Sequence, residues 1–151
     1  DPMRQELFTA SRGGGAQVDG RRIRVSKQTT LEGALVATGF PQRDNSRWLD
    51  DYMAMLKAMM LTTAGVRRPG AASLDLAYVA AGRVDGFWEI GLSAWDTAAG
   101  TLLITEAGGR IGTLTGQPYV QGGHVVAGTP KVFDELVACI GPFVPANLRD
   151  V

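Results

Sequence analysis

The chain has 151 residues, 45% apolar and 20% charged, with fifteen basic side chains balanced by fifteen acidic ones. This size and composition allow one packed domain and leave no bulk charge to draw the chain to nucleic acid or to a membrane surface. A single cysteine, Cys139, excludes an internal disulfide framework and suits a reducing, cytoplasmic compartment, and no run is long enough to span a bilayer.

In chain order, residues 6–26 alternate around Gly13-Gly14-Gly15 and Asp19-Gly20, predicting strands joined by tight turns. Leu31 to Thr38 is expected as a short buried strand stopped by Gly39-Phe40-Pro41, with a polar loop over 41–46. Ser46 is placed as the N-cap of a helix carrying Trp48, Tyr52, Met55, Leu56, Met59 and Met60 on one stripe, ended by Gly65. That methionine-rich stripe is expected in core or interface packing. Val66-Arg67-Arg68 reads as a short strand. Pro69-Gly70 then opens a small-residue helix over 71–81 whose first amides stay available to an anion. A strand over 84–89, a helix over 95–107, strands over 110–114 and 124–127 around a Gly- and Pro-containing loop, and a helix over 130–140 follow. The alternation argues for an α/β fold, a mixed and largely parallel sheet flanked by helices and preceded by a β-hairpin. The expected organisation is a hairpin over 1–30, an α/β domain over 31–141 and an irregular tail over 142–151.

The chemistry concentrates in Glu89-Ile90-Gly91-Leu92-Ser93-Ala94-Trp95-Asp96-Thr97-Ala98-Ala99-Gly100, followed by Glu106-Ala107-Gly108-Gly109. One carboxylate sits at a strand end, where ligands collect in open α/β sheets, and the other at a helix start, where charge meets unpaired amides. On position alone Asp96 is an N-cap or a ligand, and Glu89 a solvated strand-end acid or an acceptor for hydroxyls. His124, the only histidine, reads as a surface or satisfied structural residue. Glu106 and Asp75 read as helix polar face or local pairing, and Cys139 as a buried structural thiol. One histidine and one cysteine speak against zinc, and no nucleophile elbow or Walker loop occurs.

The string Trp-Asp-x-Ala-Ala-Gly-x-Leu-Leu with Glu-Ala-Gly-Gly resembles the C-terminal signature of the inositol monophosphatase family. Glu6-Leu7-Phe8-Thr9-Ala10, Ala37-Thr38-Gly39-Phe40-Pro41, the run from Arg67 to Glu89 and His124 to Pro130 extend the likeness over nearly the whole chain. The resemblance implies the C-terminal layer of the inositol monophosphatase/fructose-bisphosphatase-like fold. It also implies Mg²⁺ as cofactor, Asp96 as a metal ligand, and Gly70, Ala71, Ala72, Glu89 and Asp96 as substrate contacts. The implied substrate is an inositol monophosphate and the implied assembly a homodimer. Histidinol, fructose-bisphosphate and nucleotide-bisphosphate phosphatases are the rival activities. Bacterial relatives that associate with transcription machinery supply a rival of another class.

The family's N-terminal Glu-Glu pair and Asp-Pro-(Ile/Leu)-Asp-Gly-Thr motif do not occur, since Asp1-Pro2 is followed by Met3-Arg4-Gln5. The chain is therefore expected to be the C-terminal half of an enzyme, lacking its N-terminal half and inactive alone.

Overall fold

The computed structural model describes residues 1–120 and 123–149. Gln121 and Gly122, in the loop expected before the strand at 124, and Asp150 and Val151, in the expected tail, lie outside the described residues. Strands β1 (Phe8–Ser11), β2 (Gly15–Val18) and β3 (Arg21–Arg22) form a small antiparallel sheet. The β2–β3 turn is Asp19-Gly20, both left-handed (φ 49° and 76°), the geometry of a two-residue hairpin.

The remaining strands form a second sheet in the order β5-β4-β6-β8-β7: β4 (Leu35–Thr38), β5 (Gly65–Arg67), β6 (Gly86–Leu92), β7 (Arg110–Gly112) and β8 (Gly123–Gly128). The sheet is mixed, with its parallel share confined to β5-β4-β6; β8 runs antiparallel to both β6 and β7. Side chains alternate along the strands, so the sheet has an apolar layer on each face. Val36, Trp88, Ile90 and Val126 face helices α1 (Leu49–Thr62) and α4 (Pro130–Ile140), with Tyr52, Met55, Met59, Phe133 and Leu136. Ala37, Phe87, Val125 and Ala127 face α2 (Ala72–Ala80) and α3 (Ala94–Glu106), with Leu76, Val79 and Ile104. The small sheet lies against the far side of α3.

Several boundaries differ from expectation for local reasons. Residues 31–34 form a turn, with Ala34 N–H donating to Leu31 O (2.9 Å), so the strand starts only at Leu35. Ser46 does not cap α1: it lies inside a 3-10 turn over Arg43–Trp48 that runs directly into the helix. Helix α1 stops at Thr62, where Thr63 turns extended, and Gly65 begins β5. Met55 and Met59 are buried, but Met53, Met60 and Leu61 on the same helix are exposed. Cys139 is half-buried at the core margin, its Sγ 3.9 Å from Thr62 Oγ1. The segment expected as an irregular tail forms 3-10 turns at Gly141–Phe143 and Ala146–Leu148, because Val144 and Leu148 insert into the core.

Two polar contacts tie the layers together. Thr129 Oγ1 accepts Val132 N–H at the start of α4 and donates to Gln28 O (2.8 Å), joining the helix to the segment after the hairpin. Glu106, read from sequence as helix polar face, accepts the amides of Gly13 (2.8 Å) and Gly15 (2.9 Å), clamping the β1–β2 turn to the end of α3. Those two amides hold the Glu106 carboxyl below the usual carboxylate range. A depressed carboxyl stabilises the fold above its unfolded pKa and loses that contribution as pH falls through the folded value. Acidification below about pH 4.5 is therefore expected to release the hairpin turn first. Faster amide exchange at Gly13 and Gly15 than in β8 on acidification would show it. Uniform exchange would refute the clamp.

Candidate active site

Parallel strands β4, β5 and β6 end on the same side of the sheet, and helices α2 and α3 begin there. Their union forms a cleft of about 560 Å³ whose wall includes Gly39, Arg68, Gly70, Ala71, Ala72, Glu89 and Asp96. The five residues singled out in the sequence are thus brought together, from two strand-to-helix connections about twenty residues apart along the chain.

The α2 wall is built from small residues. Ala71 is the N-cap, extended (φ −140°, ψ 91°) and without a side-chain acceptor, so the first turn of α2 receives no cap from its own N-cap residue. Gly70 has φ 98°, which a residue with a side chain rarely adopts, and this turns the chain out of Arg68-Pro69 into the helix.

On the other wall, Glu89 sits on β6 directly before an irregularity in its pairing with β8 that extends to Leu92. The irregularity turns on Gly91 (φ 83°), gripped from both sides. Its amide donates to His124 Nδ1 (3.0 Å), and a side chain at 91 would overlap the Asn45 amide. His124 is buried (4% exposed) with its ring edge-on to Trp48 at 5.2 Å. Burial, then the Arg47 charge, lowers its pKa, which keeps it neutral and able to accept. The expected satisfied structural histidine is therefore one that shapes the loop between Glu89 and Asp96.

Asp96 is not the N-cap. Helix α3 starts at Ala94 after Ser93, which makes Asp96 its third residue, and its Oδ2 accepts the Ser93 N–H (2.9 Å) as in a capping box. Oδ1 has no hydrogen-bond partner among the described residues. Gly100, one turn on, allows α3 to meet α2: a Cβ there would lie 2.6 Å from Leu76 Cβ. Within the signature Gly100 thus serves helix packing, Ala98 and Ala99 beside it are exposed, and Asp96 lines the cleft.

Electrostatically the cleft is strained. Asp75, expected on a polar face, is instead 1% exposed, and neither carboxyl oxygen has a hydrogen-bond partner. The missed signal was its register: position 75 lies three residues after Ala72 and four before Val79, on the buried side of α2. Burial pushes Asp75 up to about 6, opposed by the Arg68 guanidinium and the Ala71 amide, which acts without reaching bonding geometry. Burial, then the charges of Asp75 and Asp96, pushes Glu89 up to about 7, again against Arg68. Deeper still, Tyr52 hydroxyl and Thr38 Oγ1 share a hydrogen bond of 3.0 Å, and burial raises the phenol to about 12.

A hard divalent cation needs several oxygen ligands. Among the described residues no group of three or more His, Cys, Asp or Glu side chains could hold one. Asp96 offers one free carboxylate oxygen, so the described chain fits one corner of such a site and no more.

The profile of the inositol monophosphatase family matches residues 1–144. The chain belongs to the inositol monophosphatase family. Within the family it is 57% identical over 151 residues to the Nus factor SuhB of Pseudomonas aeruginosa, covering 99% of this chain and 56% of that protein. It is 50% identical to the Nus factor SuhB of Escherichia coli K12, covering 99% and 53%. Among solved structures, the inositol monophosphatase of Anabaena superposes with a TM-score of 0.89 at 38% identity, over 97% of this chain and 58% of that one. The extragenic suppressor protein suhB of Bartonella henselae gives 0.87 at 42% identity, over 92% and 53%. The chain therefore spans about half the length of the relatives it matches. These structures share its fold, as the signature implied. No helix among the described residues is long and apolar enough to cross a membrane.

Proposed function

We propose that this chain is the C-terminal half of a Mg²⁺-dependent phosphomonoesterase that hydrolyses myo-inositol 1-phosphate. The observation carrying this reading is the convergence of Glu89, Asp96 and the uncapped start of α2 on one cleft, in a member of the inositol monophosphatase family. Magnesium in such a site ionises a water and neutralises charge on the phosphoryl group. Asp96 would contribute one ligand through Oδ1, with its other oxygen holding the Ser93 amide and so fixing the side chain. Glu89 would accept hydrogen bonds from ring hydroxyls, more strongly when ionised. A bound cation beside Asp96 would offset the negative field that raises the Glu89 pKa, coupling substrate recognition to metal occupancy. Residues 70–72 would let backbone approach the ligand closely.

The remaining ligands belong to an N-terminal half, where Glu-Glu and Asp-Pro-x-Asp-Gly-Thr are expected upstream of Asp1. The domain reading keeps the hairpin of residues 1–30 as part of a sheet completed by that half, with 31–141 as the α/β domain. A homodimer in the cytoplasm is part of the proposal, and exposed Met53, Met60 and Leu61 on α1 support a protein-covered face there.

The test is a substrate panel. The full-length protein with Mg²⁺ is expected to prefer inositol 1-phosphate over histidinol phosphate, fructose 1,6-bisphosphate and nucleotide bisphosphates. The pure 151-residue chain is expected to turn over none of them. A strong preference for another member of the panel would replace the substrate, and turnover by the short chain would refute the missing-ligand reading. The Nus factor name of the P. aeruginosa and E. coli relatives supports a second role, in transcription, which a pull-down with the full-length protein checks.

A further inference from the structure

The Glu89 carboxyl does not lie in open cleft. It occupies the space that a side chain at residue 39 would fill: a Cβ built on Gly39 overlaps the carboxyl carbon and both oxygens of Glu89. Gly39 follows the last residue of β4, and Thr38 pairs with Trp88, the residue before Glu89, so the two strand ends bring these positions side by side. We propose that Gly39 is the positioning residue of the hydroxyl-binding subsite, its missing side chain letting Glu89 fold back and setting the depth left for the ring of a polyol phosphate. This rests on the reading of Glu89 as the hydroxyl acceptor.

Three observations make the position decisive. Gly39 does not have a left-handed φ, so its backbone accepts an L side chain and glycine is not required there by conformation. The chain around it cannot easily withdraw. Thr38 is buried and hydrogen-bonded to Tyr52, while the Phe40 ring packs edge-on to Tyr52 at 5.8 Å and carries the Arg68 guanidinium over its face at 5.0 Å. The atoms that an added Cβ meets are the far end of a flexible side chain, so Glu89 yields and the backbone does not. Alanine at 39 therefore moves the carboxyl into the cleft and leaves the fold in place. A ring substrate that needs the carboxylate at the back of the cleft loses its acceptor and some of its room. A phosphate monoester with neither ring nor hydroxyls loses neither.

The experiment compares Gly39→Ala, Glu89→Ala and Gly39→Ala/Glu89→Asp in the full-length protein, on inositol 1-phosphate and on methyl phosphate, and adds a crystal structure of the full-length Gly39→Ala protein. For Gly39→Ala we expect a Tm within about 2 °C of the parent. The KM for inositol 1-phosphate should rise about 10- to 100-fold, the range of a lost hydrogen bond to a charged group. Values for methyl phosphate should stay within about twofold, which is what about 0.5 kcal/mol of incidental change amounts to. Shortening the acid in the double variant should recover part of the loss, and the crystal structure should show the carboxyl displaced from residue 39. If Glu89→Ala raises that KM and Gly39→Ala does not, the Gly39 inference fails and the Glu89 reading stands. If Glu89→Ala leaves it unchanged, the acceptor reading itself falls, and the inference with it. A carboxyl unmoved in the Gly39→Ala crystal structure overturns the inference without reference to activity.

Discussion

Asp96→Asn is expected to lower phosphomonoester hydrolysis by the full-length protein at least about 10²-fold, the upper end of what losing a partner that merely orients a metal ligand costs. The same change should leave the fold almost untouched. Asparagine keeps a side-chain oxygen for the Ser93 amide, which Asp96 now accepts at 2.9 Å, while surrendering the charge that would hold a cation. Asp96→Ala removes both, so it should be as inactive and also less stable, by about 1 kcal/mol, the usual weight of a helix-start acceptor. Chemical denaturation and a magnesium titration on both variants separate the roles. Equal stability of the two would show that the capping contact contributes nothing. Unchanged activity in Asp96→Asn would remove Asp96 from the metal site.

Asp75→Asn is expected to stabilise the chain by about 1–3 kcal/mol at pH 8, two pKa units of displacement being worth about 3 kcal/mol at most. The sign follows from which state holds the proton. Burial raises the folded Asp75 pKa to about 6 from an ordinary 3.8, so between those values the folded chain is protonated at Asp75 and the unfolded chain is not. Stability therefore falls as pH rises through that window, and the full penalty persists above it. Glu89, raised from 4.5 to about 7, acts in the same sense over a window reaching neutrality. Below pH 4 both groups are neutral in the folded state and the gain from asparagine should vanish. Urea denaturation of parent and variant at pH 4 and pH 8 measures the difference. A gain independent of pH would mean that packing, and not charge, limits the site. Because the Asp75 charge also raises Glu89, the variant should hold Glu89 ionised at lower pH, and with it the charge that strengthens its hydrogen bonds to hydroxyls.

Such unpaired burial is costly, and at Asp75 it lies behind the cleft the signature marks, close enough for its charge to raise Glu89. Arg68 lines that cleft and opposes the raised pKa of both acids, yet it forms no ion pair with either among the described contacts. A cation beside Asp96 would offset the Asp75 and Asp96 charges that add to burial in raising Glu89. Cleft electrostatics and the proposed chemistry therefore point in one direction.

The amino-acid sequence by itself determined the element types, because those rest on local rules, and the family, whose resemblance in turn pointed to the five residues that line the cleft. Strand alternation, Pro-Gly entry into α2, a Pro start for α4 and the spacing within the Trp95-Asp96 string all act within a few residues of one another. Element boundaries moved where the long-range environment overrode the local one: the turn at 31–34, the 3-10 run into α1, and a C-terminal segment pinned by Val144 and Leu148 in the core. Only the tertiary structure decided what lies behind the cleft. Asp75 is buried because α2 is sandwiched between the sheet and α3, and Glu106 serves the hairpin because that sheet docks on the end of α3. His124 reaches Gly91 across thirty-three residues, and Gly39 makes room for Glu89 across fifty. These are contacts between strand ends and helix starts that no local pattern encodes, since each depends on which strands become neighbours in the sheet.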